Sequence, residues 1–343
     1  MGISVLPALL VMPAFADTIT ARQVITTNTT YNNLTASNIA STTANNGGVF
    51  YMENVPTTTL TFDGTSTFSN NSLNNGGMGG AIGNGWLSST SGTGFTPGGK
   101  ILFNGDATFS SNTTNNPNGG GAIFNYGNGT SSNPDIKFSD NATFIKNAAN
   151  GTSNNSVFSG GGAINNRGGT IIFDDEATFS DNTSSYRGGA ILSGGDIIFN
   201  DTATFSGNTA TTSGGAITIL GGNVQFADDA TFTGNTAGAG AAIFLDNANS
   251  QLTFADTATF SSNTGTGILL NNNASSTVSF ANGATFDRNT NPLNGSLVNT
   301  GTVNGTGGDF MFTNNTGSNC GGLKNEGTVS IDTSGRILFD ANT

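Results

Sequence analysis

One unit recurs through most of this 343-residue chain and constrains its fold more than any other feature. The unit reads F-x5-F-x2-N. It stands at Phe62-Phe68-Asn71, Phe103-Phe109-Asn112, Phe138-Phe144-Asn147, Phe173-Phe179-Asn182, Phe199-Phe205-Asn208, Phe226-Phe232-Asn235, Phe254-Phe260-Asn263 and Phe280-Phe286-Asn289. A ninth copy, Phe312-Thr313-Asn314-Asn315, has Thr306 at the place of its first Phe. Between copies stands G-G-A-I, at 79–82, 120–123, 161–164, 188–191 and 214–217, with looser versions at 240–243, 267–269 and 321–323. The second Phe recurs after 41, 35, 35, 26, 27, 28, 26 and 26 residues. The unit is therefore about 26 residues long, with insertions in the first three.

Each unit holds three pieces of strand character, A-T-F-x-x-N-T, G-A-I-x-x and I-x-F. Each alternates apolar with small polar residues, the period of a pleated strand, and Gly, Asn and Asp clusters separate them. No stretch shows a helical period. So small a unit cannot bury its own apolar face and must stack on its neighbours. The expectation is an all-β, right-handed parallel β-helix, a solenoid of about ten coils with three short strands per coil. Coils about 4.8 Å apart make a rod on the order of 50 Å long. Phe and Ile point inward, where burial of each Phe contributes roughly 1.5–3 kcal/mol. The recurring Asn71, Asn112, Asn147, Asn182, Asn208, Asn235, Asn263, Asn289 and Asn315 are expected to stack as an amide ladder at a turn. The Gly pair before Ala-Ile suits a positive φ or a close backbone approach.

The ends of the chain differ from the array. Residues 1–16, MGISVLPALLVMPAFA, read as a secretory signal with a small-x-small cleavage site but no positive n-region. Residues 17–46 are Thr/Asn-rich, lack the Phe motif and read as a cap or leader for the first coil. The repeat array fills 47–343, and its last residues start a unit and stop before its second Phe, as in a truncated reading frame.

Composition excludes several kinds of chemistry. The chain has no His, so imidazole-based triads and metal sites are out. Its net charge of −12, with nine scattered basic residues, argues against nucleic-acid binding. One cysteine, Cys320, cannot form an internal disulfide. Two positions after the first Phe stand Gly64, Gly105, Asp140, Asp175, Asp201, Asp228, Asp256 and Asn282. This column reads as a turn position that tolerates left-handed φ, where Gly, Asn and Asp interchange. The other reading is a weak calcium ladder. The densest acidic run, Asp174-Asp175-Glu176, has Arg167 and Arg187 on either side, a composition that general acid/base work on a sugar could use. Because Asp175 is a repeat position, the run reads as turn residues, and no catalytic, metal-binding or cofactor-binding residue is assigned. Insertions in repeat arrays map to loops that often bind. The longest, 83–99, 124–135 and 147–159, include the only Trp, and Trp86, Phe95 and Tyr126 are the candidate contact residues.

F-x-x-N paired with G-G-A-I resembles the repeat of the chlamydial polymorphic outer membrane proteins, and similar arrays occur in other autotransporter passengers. The resemblance runs from about Gly47 to the C-terminus. It implies an exported passenger displayed at the outer membrane surface or released from it. Such a passenger acts in adhesion or structural display, without catalysis. Its partners would be a host-cell surface protein or glycan, and delivery would need a C-terminal β-barrel, separate or missing here. The alternative is a β-helical polysaccharide-binding or -degrading protein.

Overall fold

The structure is a computed structural model that describes residues 16–41, 48–52, 54–74, 77–87, 95–127, 135–151, 158–332 and 334–343. The expected signal segment, up to residue 15, lies outside the described residues. Within them all regular structure is β-strand, in four parallel sheets of 10 to 12 strands and one two-stranded hairpin. The chain is a right-handed parallel β-helix. One coil shows the plan. Thr170–Phe173 lies in sheet I and Ala177–Ser180 in sheet II. Thr183–Ser184 forms a two-residue rung of sheet III, and Ile191–Ser193 lies in sheet IV. Asp196–Phe199 then opens the next coil beside Thr170–Phe173. The three principal strands carry the three repeated pieces.

The fourth rung comes from the tail of A-T-F-x-x-N-T, which does not run straight. The residue before the repeat Asn is left-handed, with φ of +55° at Ser111, Lys146 and Asp181, +51° at Arg288, and +64° and +66° at Gly207 and Gly234. The chain turns there, and the residues after the Asn pair with the coils above and below.

The described part of the Thr/Asn-rich leader, residues 17–41, adds strands to the rod. Thr18–Ile19, Gln23–Val24, Thr29–Asn32, Thr35–Ser37 and Ala40–Ser41 join the same four sheets. Tyr31 and Ala36 stand in register with Phe62 and Phe68, so the segment follows the coil without its motif.

The register stacks like on like. Ala177, Thr178 and Phe179 face Ala203, Thr204 and Phe205, and the same holds in neighbouring coils. Two aromatic columns result. Rings from Phe62 to Phe280 stack at 4.5–5.0 Å between centroids. Rings from Phe68 to Phe339 stack at 4.6–5.1 Å. Phe339 therefore corrects an expectation: it lies opposite Phe312 as the second Phe of its unit, with Asn342 as the repeat Asn, and does not open a new unit. Within a coil the two Phe meet edge to face at 5.5–5.9 Å. Each such pair adds about 0.5–1.5 kcal/mol beyond its buried area.

The ninth unit corrects one sequence expectation. Gly305, not Thr306, lies opposite Phe280, because the corner that follows is one residue longer. Phe310, in the column that Ala284 occupies one coil earlier, sits edge-on to Phe280 at 5.2 Å.

The Gly pair has two separate reasons. The first Gly is left-handed in several coils, with φ of +59° at Gly188 and +63° at Gly214. At the second, a Cβ on Gly189 would lie 2.0 Å from the carbonyl oxygen of Gly215 in the next coil.

Candidate functional site

The repeat Asn are buried inside the rod and fully engaged. Each Nδ2 donates to the Oδ1 of the Asn one coil further on, at 2.9–3.1 Å from Asn71 through Asn315 to Asn342. Its other hydrogen goes back to the carbonyl of the second Phe of the preceding coil, as in Asn208 Nδ2 to Phe179 O at 3.0 Å, or for Asn71 to that of Ala36 in the same register. The same Oδ1 also accepts the main-chain N–H of the preceding Asn, as in Asn182 N to Asn208 Oδ1 at 3.0 Å. No donor or acceptor of this column is left for a ligand.

Two further rows lie under sheet IV, buried except for the exposed Asn325 that ends the second. Asn84 donates to Asn125 and Asn125 to Asn166, both at 2.9 Å. Asn271 donates to Asn299 and Asn299 to Asn325, both at 2.8 Å. Ser193, Ile219 and Leu245 occupy the register between the rows. The signal was an Asn two residues after the Ile of G-G-A-I, hidden because the middle coils replace it.

The Asp column is a set of turn caps. Asp140, Asp175, Asp201, Asp228 and Asp256 each accept the N–H of the following residue, at 2.6–2.9 Å. The expected left-handed φ is found in this column only at Gly64, +70°. The carboxylate satisfies the corner amide from an ordinary φ, and the left-handed turn falls instead before the repeat Asn. Asp228, Asp229 and Asp256 place carboxylate oxygens within 4.8 Å of one another on the surface. The Asn282 amide, donating at 2.9 Å, and the Thr257 N–H hold Asp256 below the usual carboxylate range.

The acidic run and the two arginines do not meet. Asp174 pairs with Lys137 Nζ at 2.7 Å and accepts from Asn200 at 2.9 Å. Arg187 pairs with Asp246 at 2.7 Å, two coils away. Arg167 lies over the Phe158 ring, 4.9 Å from its centroid. The carboxylates occupy the corner between sheets I and II, while both arginines flank sheet IV. Cys320 is a partly buried free thiol whose Sγ donates to Leu323 O at 3.2 Å.

The irregular features gather along sheet IV. Trp86–Leu87 and Phe95–Thr96 form the antiparallel hairpin that leaves strand Ile82–Asn84, and residues 88–94 between them lie outside the described residues. Tyr126 ends the next strand of the sheet and packs on Met78 and Phe124 against the outside of the rod. Gly98 N donates to Tyr126 O at 3.1 Å, so the first two insertions touch. The third insertion runs into strand Ile164–Gly168 of the same sheet and contributes Phe158, while 128–134 and 152–157 lie outside the described residues. Three arginines stack on rings along this flank: Arg22 on Tyr51, Arg167 on Phe158 and Arg187 on Tyr186. These pairs were not legible in the sequence, because only Tyr186 and Arg187 are adjacent in it.

The fold is that of a β-helical repeat protein whose coils are uniform and whose insertions adjoin sheet IV. Residues 176–194, 202–219 and 229–246, three consecutive units, match the Chlamydia polymorphic membrane protein repeat. These matched stretches lie in three successive coils of the rod, each spanning parts of sheets II to IV. No curated protein and no solved structure matches the chain.

Proposed function

We propose that the chain is a passenger or passenger segment acting in adhesion or structural display. Its coils serve as a rigid arm and its sheet IV flank as the contact surface. The observation that supports this reading most is the sorting of irregularity. Four sheets repeat coil after coil, whereas all three insertions, Trp86 and the three arginine–aromatic pairs adjoin one sheet. A binding surface needs such unique residues on a rigid support. The partner is a host-cell surface protein or glycan, and delivery is by a β-barrel. The reading assigns no catalysis, since the acidic run is committed to turn capping and to Lys137.

The test is binding of the purified, fluorescently labelled chain to cultured mammalian cells. Replacing 88–94 or 128–134 by two glycines should lower saturable binding while the circular dichroism spectrum stays unchanged. Saturable binding that no loop replacement alters would move the contact surface elsewhere. Cleavage of a polyuronate by the pure chain would establish the polysaccharide-degrading alternative instead.

A further inference from the structure

Arg167 is the extra residue of its strand. Asn125 pairs with Asn166 and Tyr126 with Gly168, so Arg167 has no partner across the ladder and bulges from the flank. Its Nη2 donates to Phe158 O at 3.1 Å while the guanidinium covers that ring. Its Nε is buried without a hydrogen-bond partner, and so are Asn165 Oδ1 and Asn118 Oδ1. Asn165 Nδ2 donates to Asn118 O, Phe158 O and Gly160 O at 3.0–3.2 Å, which ties these groups into one spot. The Tyr126 ring lies against Gly168, the next residue.

The charge is unexplained by the fold. Lys137, Arg187, Arg288, Lys324 and Arg336 each pair with a carboxylate. Arg167 forms no such pair among the described residues, although the chain has 21 acidic side chains. The neighbouring segments 128–134 and 152–157 contain no Asp or Glu, so neither can supply one. Desolvation lowers Arg167 to about 10, which leaves it a cation at neutral pH. A partly buried cation without a counter-charge is costly, and holding a carbonyl does not require the charge.

We propose that Arg167, with Phe158 and Tyr126 beside it, receives the carboxylate of a terminal acidic sugar. With Nε buried and one Nη2 hydrogen given to Phe158 O, the guanidinium can still take a carboxylate end-on through its two terminal nitrogens, and the Tyr126 ring suits the body of a pyranose, the guanidinium itself covering a face of Phe158. A ligand with a single charge is favoured over a polyanion, because the chain carries −12 and would repel the latter. This rests on the adhesion reading and names its ligand class.

Titration calorimetry of the full chain with sialyllactose, lactose and a heparin fragment tests it. The expected result is binding of sialyllactose but not of lactose. R167Q should weaken it by about tenfold or more, and R167K should restore little because it lacks the fork. R288Q, at an exposed arginine elsewhere, should leave it unchanged. Thermal melting checks that the variants stay folded, and F158L provides a second probe of the site. Equal affinity in wild type and R167Q, no affinity in the wild type, or tighter binding of the heparin fragment through Arg167 overturns the proposal. Sialidase treatment of cells separates the two levels. Cell binding that survives it overturns the acidic-sugar site and leaves adhesion standing, whereas absence of binding to untreated cells counts against adhesion itself.

Discussion

The ring of Phe310 fills the space that Gly305 leaves in the first phenylalanine column. A Cβ on Gly305 would lie 2.7 Å from Phe310 Cε2, so the two residues exclude each other's alternatives. Phe310→Ala should destabilise the chain by about 3–5 kcal/mol, the usual range for a buried Phe. Gly305→Phe alone should also destabilise it. The double variant, which restores the pattern of the earlier coils, should recover part of both losses. Denaturant titration of the four proteins measures the coupling, and strict additivity would show that the two sites do not compensate.

Removing one rung of the Asn ladder should cost more than removing a surface Asn. Asn208→Leu leaves the Asn182 N–H and Nδ2 and the Asn235 Oδ1 short of partners inside the rod. Each unsatisfied buried group costs about 1–3 kcal/mol. Asn141→Leu, at an exposed corner, should change stability by less than about 0.5 kcal/mol. Equilibrium unfolding in guanidinium compares them, and equal losses would mean that the ladder adds little.

Two backbone substitutions should have opposite signs. Gly189→Ala drives a methyl into the Gly215 carbonyl and should lower the melting temperature markedly. Lys146→Gly replaces a left-handed lysine, φ +55°, and should relieve roughly 1–2 kcal/mol of strain, less the added freedom of the unfolded chain. A lower melting temperature for Lys146→Gly would show that the lysine side chain contributes packing that outweighs the strain.

Stability should be flat in pH between about 5 and 8, because the chain has no His. It should fall on the acid side. The Arg336 guanidinium holds Asp309 below its ordinary range, and hydrogen bonds do the same for Asp256 and Asp332. A carboxyl with a depressed folded-state pKa stabilises the fold above its unfolded value of about 3.9 and loses that contribution as pH falls. Melting curves from pH 7 down to about 2 test this. Arg336→Gln should shrink the acid-side drop, and an unchanged drop would remove Asp309 from the account.

Most of the fold was legible because identical residues stack on one another. Phe179 predicts the place of Phe205 without any other information. Legibility fails where one residue is inserted or where tertiary bonds override local preference. The extra corner residue moved Gly305 into the Phe column, and nothing in the local sequence marks it. The left-handed turn was assigned to the Asp column because Asp and Gly favour it. The ladder instead imposes it on Lys146 and Arg288, which do not. Along the sheet IV flank, Trp86, Phe95 and Tyr126 stood out by type and by position in insertions. Arg167 did not, because a bulge in Asn-Asn-Arg-Gly-Gly has no period to violate.

The Asn ladder gives the rod a direction. Every carboxamide turns its oxygen toward the preceding coil and a hydrogen toward the following one, so nine successive dipoles point the same way. A finished coil thus shows donors to whatever is laid on it, and only a coil in the same sense brings the matching oxygen. The growing end is a one-way template, and a chain that emerges in order can be zipped onto it turn by turn.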